Sequence, residues 1–247
     1  MADSLFLPAE NERLWNRRVD EQVSFLLETL PERITDSPDA TLLSAGCGTG
    51  RLLRALADET ACELVGFDVD REMLTYAREQ SDDIRLFQAD LREFGSRSVD
   101  AIVCMYTTFN YLLSNADVVA ALDAFGDALA EDGVVVVDAS NFMAHLVDGY
   151  EAELTETLDH EDGRIEKHVS HSVDTLDNRW HHEETLRVFE DGELVETHTA
   201  THELRYVTAH EFRFAHDRSS LADREAHLAT GYGDDDDRLI YAVGVEP

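Results

Sequence analysis

Glycine recurs at every second position in Leu43-Ser44-Ala45-Gly46-Cys47-Gly48-Thr49-Gly50-Arg51-Leu52. Residues without a Cβ let a backbone turn sharply and let a ligand lie against main chain. Amides at the start of a following helix favour a carboxylate or a phosphate. Asp68 closes the next apolar segment, where an acid can accept two hydrogen bonds from a ribose diol. Asp90 closes a third, placed to face an exocyclic amine. Beyond a fourth apolar segment, Val99–Met105, stand Tyr106 and Tyr111, which can polarise or orient a reacting group. Histidine is abundant (11 residues), and His182 and His202 are the candidates for a base. No histidine set has the convergent spacing of a zinc site, so no metal is expected. The acidic run Asp234–Asp237 lacks the order of a calcium loop and reads as a solvated turn.

These residues need a scaffold. Thr41–Ala45, Glu63–Phe67, Ile84–Gln88, Val99–Met105 and Gly133–Asp138 read as strands. Gly50–Glu59, Arg71–Gln80 and Asn115–Glu131 read as the helices between them. Strands apolar on both faces, alternating with helices, predict a doubly wound parallel α/β sheet with ligands at its carboxyl edge. A single helix is expected over 9–30. From 151 to 206 the pattern changes to antiparallel strands, with a hairpin at Asp191-Gly192. A helix within 208–225, capped by Thr208 and Glu211, and two final strands, Glu225–Tyr232 and Arg238–Val245, complete the chain. Trp180 is expected to fill the core of the antiparallel segment.

The composition narrows the function. The 247 residues carry 53 Asp+Glu against 20 Lys+Arg, a formal net charge of −33, and lysine occurs once, as Lys167. Such a surface repels phosphate backbones and anionic lipid, so neither nucleic acid nor membrane is an expected partner. The acids are spread along the chain, which resembles proteins of halophilic archaea; at 1 M salt the screening length is roughly 3 Å and self-repulsion fades. Three cysteines without a C-x-x-C, no leader-like start and no membrane-length apolar run predict a soluble, cytoplasmic protein.

The ordered segments GCGTG, GFDVDREML, QADLREF, VDAIVCMYTTFNYLL and LAEDGVVVVD resemble the class I S-adenosylmethionine-dependent methyltransferases. CMYTTFNYLL is similar to N-methyltransferases of nucleotide-linked amino sugars, and more loosely to glycine N-methyltransferases. The resemblance implies a Rossmann-like seven-stranded sheet with an antiparallel β insertion before its last two strands. It also implies a helical lid (1–40), a cofactor domain (41–147 and 207–247) and an insertion (148–206) that roofs the acceptor pocket or makes a dimer contact, in a monomer or homodimer. S-adenosylmethionine would be the cofactor, S-adenosylhomocysteine the product, and a small molecule the methyl acceptor, through an amine nitrogen. Ala45, Gly46, Cys47, Gly48 and Gly50 would cradle the methionine part. Asp68 would bind the ribose, Val69 and Met73 would pack near the adenine, and Asp90 and Leu91 would address its edge. Cys104, Met105 and Tyr106 would line the sulfonium side, and Arg17 or Arg18 would reach the cofactor carboxylate. Tyr111 would face the acceptor, beside Tyr106 and His182, which residue type alone makes candidates for catalysis. The family usually has an acid where this chain has Ser44, which cannot supply that charge. Two other readings stay open: a non-catalytic S-adenosylmethionine-binding or regulatory protein, and an NAD-dependent oxidoreductase, against which the glycine spacing speaks.

Overall fold

The computed structural model describes residues 6–95, 98–142, 144, 151–161, 163–232 and 235–247, except the side chains of Arg17 and of 235–237. The expected contact of Arg17, the side chains of Asp234–Asp237 and the expected boundary at 147/148 lie outside the described residues.

Five parallel strands form the middle and one side of the main sheet: β1 (Thr41–Ala45), β2 (Glu63–Asp68), β3 (Arg85–Gln88), β4 (Val99–Cys104) and β5 (Leu129–Ser140). Their alternating side chains feed two cores. Leu43, Ala45, Ile102, Cys104, Val135 and Val137 face one side, under helices α6 (Asn115–Ala128) and α7 (Ala209–His216). Leu42, Ala101, Val103, Val134 and Val136 face the other, under α2 (Val19–Thr29) and α4 (Arg51–Ala57). This alternation is the period of a pleated strand with apolar residues at both phases. Helix α5 (Arg71–Gln80) buries Met73, Leu74 and Ala77, and its N-terminus is capped by the Asp70 carboxylate. Two antiparallel strands, β10 (Ala226–Tyr232) and β11 (Asp235–Val243), complete the sheet in the order β10-β11-β5-β4-β1-β2-β3.

A second, four-stranded antiparallel sheet holds β6 (Glu153–His160), β7 (Gly163–Asp174), β8 (Arg179–Glu190) and β9 (Glu193–Arg205), in chain order. Asp191 and Gly192 both take positive φ (50° and 81°), the turn that matches the twist of a hairpin. The register places Trp180 opposite Leu204 and Val173, and aligns His171, His182 and His202 in one cross-strand row.

Several expected boundaries move. Residues 9–30 form two helices, α1 (Pro8–Trp15) and α2, separated by a 3-10 turn at Asn16–Arg18. The break serves two burial surfaces: Leu14 packs on Ile165 and Leu186 of the second sheet, whereas Val19, Val23 and Leu26 pack on the main sheet. The helix expected to end at Glu131 ends at Ala128, and β5 begins at once because Leu129 already pairs with Val99. Strand β4 stops at Cys104, since Tyr106 turns left-handed (φ 66°). The helix within 208–225 ends at His216, although its Thr208–Glu211 capping box forms as expected. Strand β11 begins at Asp235, ahead of Arg238, because it pairs with Tyr232. Among the described residues, no helix is long and apolar enough to cross a membrane.

Candidate active site

A cleft of about 1250 Å³ runs between the carboxyl edge of the main sheet and the inner face of the second sheet. Its floor is the glycine turn. Gly46, Gly48 and Gly50 have φ of 74°, 54° and 74°, a region that other residues enter at a cost. A Cβ on Gly46 would collide with Thr108 Cγ2, whereas one on Gly48 would meet nothing within 4 Å. The turn is tied down from beneath: the amides of Gly46 and Cys47 both donate to the Phe67 carbonyl at 2.8 Å.

Asp68 joins this turn to the next strand. Its Oδ2 accepts the Gly48 amide at 2.8 Å and its Oδ1 the Asp70 amide at 2.9 Å. Each oxygen keeps a lone pair. Burial pushes the Asp68 carboxyl above its usual value, and the two amides only partly offset this. Val69, Met73 and Leu91 line the cleft beside it. Asp90 is also there, gripped by Arg92 through two bonds of 2.8 and 2.7 Å, which hold its carboxyl low. Asp90, expected to address an adenine edge, is thus a paired carboxylate rather than an open one.

Tyr106 is held at both ends of its peptide. Its amide donates to Asp138 Oδ2 at 3.0 Å, and its carbonyl accepts from Arg238 Nη2 at 2.6 Å. Asp138 and Arg238 are themselves a buried ion pair (2.5 Å), with the Tyr232 hydroxyl donating to Asp138 at 2.9 Å. The Tyr106 ring lies near the guanidinium groups of Arg51 and Arg238 and against the edge of Trp15. Burial pushes its phenol up to about 12 despite the pull of Arg18, Arg238 and Arg51.

The roof comes from the second sheet. The Tyr111 hydroxyl and His202 Nδ1 are 2.9 Å apart, and Phe6 stacks on the His202 ring. Burial, then the neighbouring His182, lowers His202 to about 4, so it is neutral at physiological pH. Burial raises the Tyr111 phenol, which stays protonated. His182 sits between His171 and His202, with ring centroids at 4.8 and 5.4 Å, and its Nε2 lies 3.4 Å from Glu184. Glu184 pairs with Lys167 at 2.7 Å, and the Lys167 ammonium stands 4.5 Å from the centre of the Trp15 ring. Burial pushes the Glu184 carboxyl up, but His182 and Lys167 outweigh it and hold it down at about 2. Trp180 stacks on Phe142 (4.3 Å), filling the local core as expected while also lining the cleft.

Most expected residues therefore meet in one place: Arg18, Gly46, Cys47, Gly48, Asp68, Val69, Met73, Asp90, Leu91, Met105, Tyr106, Tyr111 and His182 all line the cleft. Ala45, Gly50 and Cys104 do not. Ala45 and Cys104 are fully buried in the sheet core, and Gly50 caps α4. Ser44 lines the floor and is buried. Burial pushes the Cys47 thiol up, which removes it as a nucleophile. Residue type and spacing do not single out Trp15, Asp138, Glu184, Arg238 or the role of Lys167. Only the last left a trace, as the single lysine among 20 basic residues. Among the described residues no group of His, Cys, Asp and Glu is arranged to hold a metal ion.

Known proteins are similar to this chain in sequence and in fold. Residues 42–133 match the family described as Methyltransferase domain. The chain is 34% identical over 139 residues to dTDP-3-amino-3,4,6-trideoxy-alpha-D-glucopyranose N,N-dimethyltransferase of Streptomyces venezuelae, covering 56% of this chain and 57% of that one. It is 37% identical over 114 residues to the dTDP-3-amino-3,6-dideoxy-alpha-D-glucopyranose N,N-dimethyltransferase of Streptomyces fradiae, covering 46% and 44%. The matched stretch thus spans about half the length of these relatives. In fold, DesVI of Streptomyces venezuelae superposes with a TM-score of 0.80 at 22% identity, covering 96% of both chains. CalS10 of Micromonospora echinaspora, an amino pentose methyltransferase solved with S-adenosylmethionine bound, does so with 0.74 at 22%, covering 98% and 99%. Residues 42–133 therefore resemble the methyltransferase domain family, and the chain has the Rossmann-like α/β fold of these methyltransferase structures.

Proposed function

We propose that the protein transfers a methyl group from S-adenosylmethionine to the amine nitrogen of a small molecule. One observation carries this reading. A left-handed glycine turn with the Asp68 carboxylate forms one wall of a cleft whose opposite wall presents His202 and His182, with Tyr111 reaching His202 from the turn after β4. The residues fit the cofactor: bare main chain at Gly48 opens to the cleft, and Asp68 retains a lone pair on each oxygen for a diol. Gly46, Cys47 and Gly48 would hold the amino-acid part, Asp68 the ribose, and Val69, Met73 and Leu91 the adenine. Arg18 would meet the carboxylate. The bound cofactor supplies a methyl on a positive sulfonium with a neutral leaving group.

The chain's own task is to present a neutral nitrogen and to exclude water. A neutral His202 accepts the Tyr111 O–H at Nδ1, which fixes the phenol and leaves its oxygen free to accept an N–H of the acceptor. At about 4, His202 is itself a poor proton acceptor for an alkylammonium. Phe6, Trp15, Phe142 and Trp180 supply the apolar surface that keeps the cleft dry. Residues 1–40 act as the lid, 41–147 with 207–247 as the cofactor domain, and 148–206 as the acceptor roof of a monomer or homodimer. The net charge of −33 suits the salt-rich cytoplasm of a halophilic archaeon and not a nucleic-acid partner. An amino-sugar acceptor is supported by the two dimethyltransferase relatives, and a glycine-like one by the 30% identity to the glycine/sarcosine N-methyltransferase of Halorhodospira halochloris. The test is transfer of labelled methyl, in molar KCl, to dTDP-3-amino-3,6-dideoxy-α-D-glucopyranose and to glycine. Label in a tertiary or secondary amine supports the reading; cofactor binding without transfer to any amine favours a non-catalytic binding protein.

A further inference from the structure

Lysine occurs once in this chain, and that lysine is buried in the cleft roof at 5% exposure, bonded to Glu184, which is buried at 8%. Elsewhere every basic residue is arginine. A buried ion pair adds little to stability compared with well-packed apolar residues, so its position asks for another account. On β8, Glu184 is two residues from His182 and on the same face of the strand; Lys167 reaches the pair from β7. With Nε2 turned to Glu184, His182 keeps Nδ1 to exchange a proton.

We propose that His182 takes the proton from the acceptor's ammonium, and that Glu184 and Lys167 are the positioning residues that orient it and set its readiness to do so; this rests on reading the cleft as an amine methylation site. In the step, an N–H bond of the ammonium breaks and its electron pair stays on the amine nitrogen. An N–H bond forms at His182 Nδ1, and the imidazolium later releases that proton to solvent. Glu184 fixes the ring orientation and favours the imidazolium, as a carboxylate beside a catalytic histidine does. Lys167 serves a separate purpose. A bare carboxylate in the roof would hold the acceptor as its ammonium, the form that cannot attack. The ammonium of Lys167 engages that charge, and the Trp15 face holds Lys167 in place. The groups around His182 are Glu184 on its own strand, Lys167 and His171 on β7, His202 on β9, and Tyr111 beyond His202. Of these, Glu184 and Lys167 carry opposite charges, so their removal must act in opposite directions.

The test is a histidine NMR titration of the full chain in molar KCl, which needs no acceptor, joined to the pH profile of labelled-methyl transfer. Glu184→Gln and Lys167→Met should displace the His182 midpoint in opposite directions, downward when the carboxylate is removed and upward when the ammonium is removed. Lys167→Arg, which keeps the charge, should restore the wild-type midpoint. The acid limb of kcat/KM should move with each midpoint. Shifts in the same direction, or none, overturn the positioning role, because packing damage does not follow the sign of the charge removed. Opposite midpoint shifts with a stationary rate limb overturn the proton-transfer role. A wild-type protein that methylates no amine overturns the underlying reading, and is told apart because the titration midpoints still move.

Discussion

Asp68 does two jobs with one carboxylate. It accepts the Gly48 and Asp70 amides and so shapes the turn, and it retains the lone pairs that a ribose would use. Because burial raises its pKa above the ordinary 3.8, cofactor affinity should weaken on acidification sooner than an exposed aspartate would allow. Protonation removes an acceptor, so the sign is loss of binding as pH falls; a pH series of calorimetric titrations reads it. Tyr111→Phe removes the hydroxyl bonded to His202 and should lower kcat/KM by about tenfold or more, the worth of one good hydrogen bond, with cofactor Kd unchanged. An equal loss of cofactor affinity would place Tyr111 elsewhere in the account. Gly46→Ala faces both a left-handed φ and a collision with Thr108, and should destabilise the fold by about 1–3 kcal/mol in urea unfolding.

The N-terminal helices bridge the two sheets. Leu14 packs on the second sheet, Trp15 meets both Lys167 and Tyr106, and Arg51 and Arg54 reach back to the Trp15 carbonyl and Glu12. One residue thus touches floor and roof together. Trp15→Ala should loosen α1 before it unfolds the sheet: hydrogen exchange should speed over residues 8–18 and remain slow in β1, β4 and β5. Uniformly faster exchange would mean that α1 belongs to the global core. At this scale the sequence was legible where periodicity is local. Strands β1 and β2, helix α5, the Asp191-Gly192 hairpin and the Thr208–Glu211 cap follow directly from residue pattern. The His171–His182–His202 row does not, because it depends on the register of three strands, and register is set by turn lengths and hairpin geometry. Nor does the break at Asn16–Arg18, which no glycine or proline marks. It arises because the two halves of that segment bury against different sheets.

Across the whole molecule, the net charge of −33 opposes compaction unless salt screens it. Thermal unfolding should shift upward as KCl rises from 0.1 to about 2 M, since the Debye length falls from about 10 Å toward 3 Å. A melting temperature indifferent to KCl would contradict the salt reading of the composition. The internal pairs behave differently: Asp138–Arg238 and Lys167–Glu184 are buried and little screened, so salt should leave their geometry unchanged. Glu184 adds a pH signature. Its carboxyl is held at about 2 against an ordinary 4.5, so the stability it contributes is present above 4.5 and is lost as pH falls toward 2.

In the proposed function, the glycine turn and Asp68 together hold S-adenosylmethionine. Calorimetric titration of that molecule into the wild-type chain and into Asp68→Ala, in molar KCl, tests it most directly. The account predicts one site on the wild type and an affinity at least about tenfold weaker in the variant, the worth of hydrogen bonds to a charged acceptor. Equal affinity in both proteins, or heat from NAD and none from S-adenosylmethionine, would contradict it.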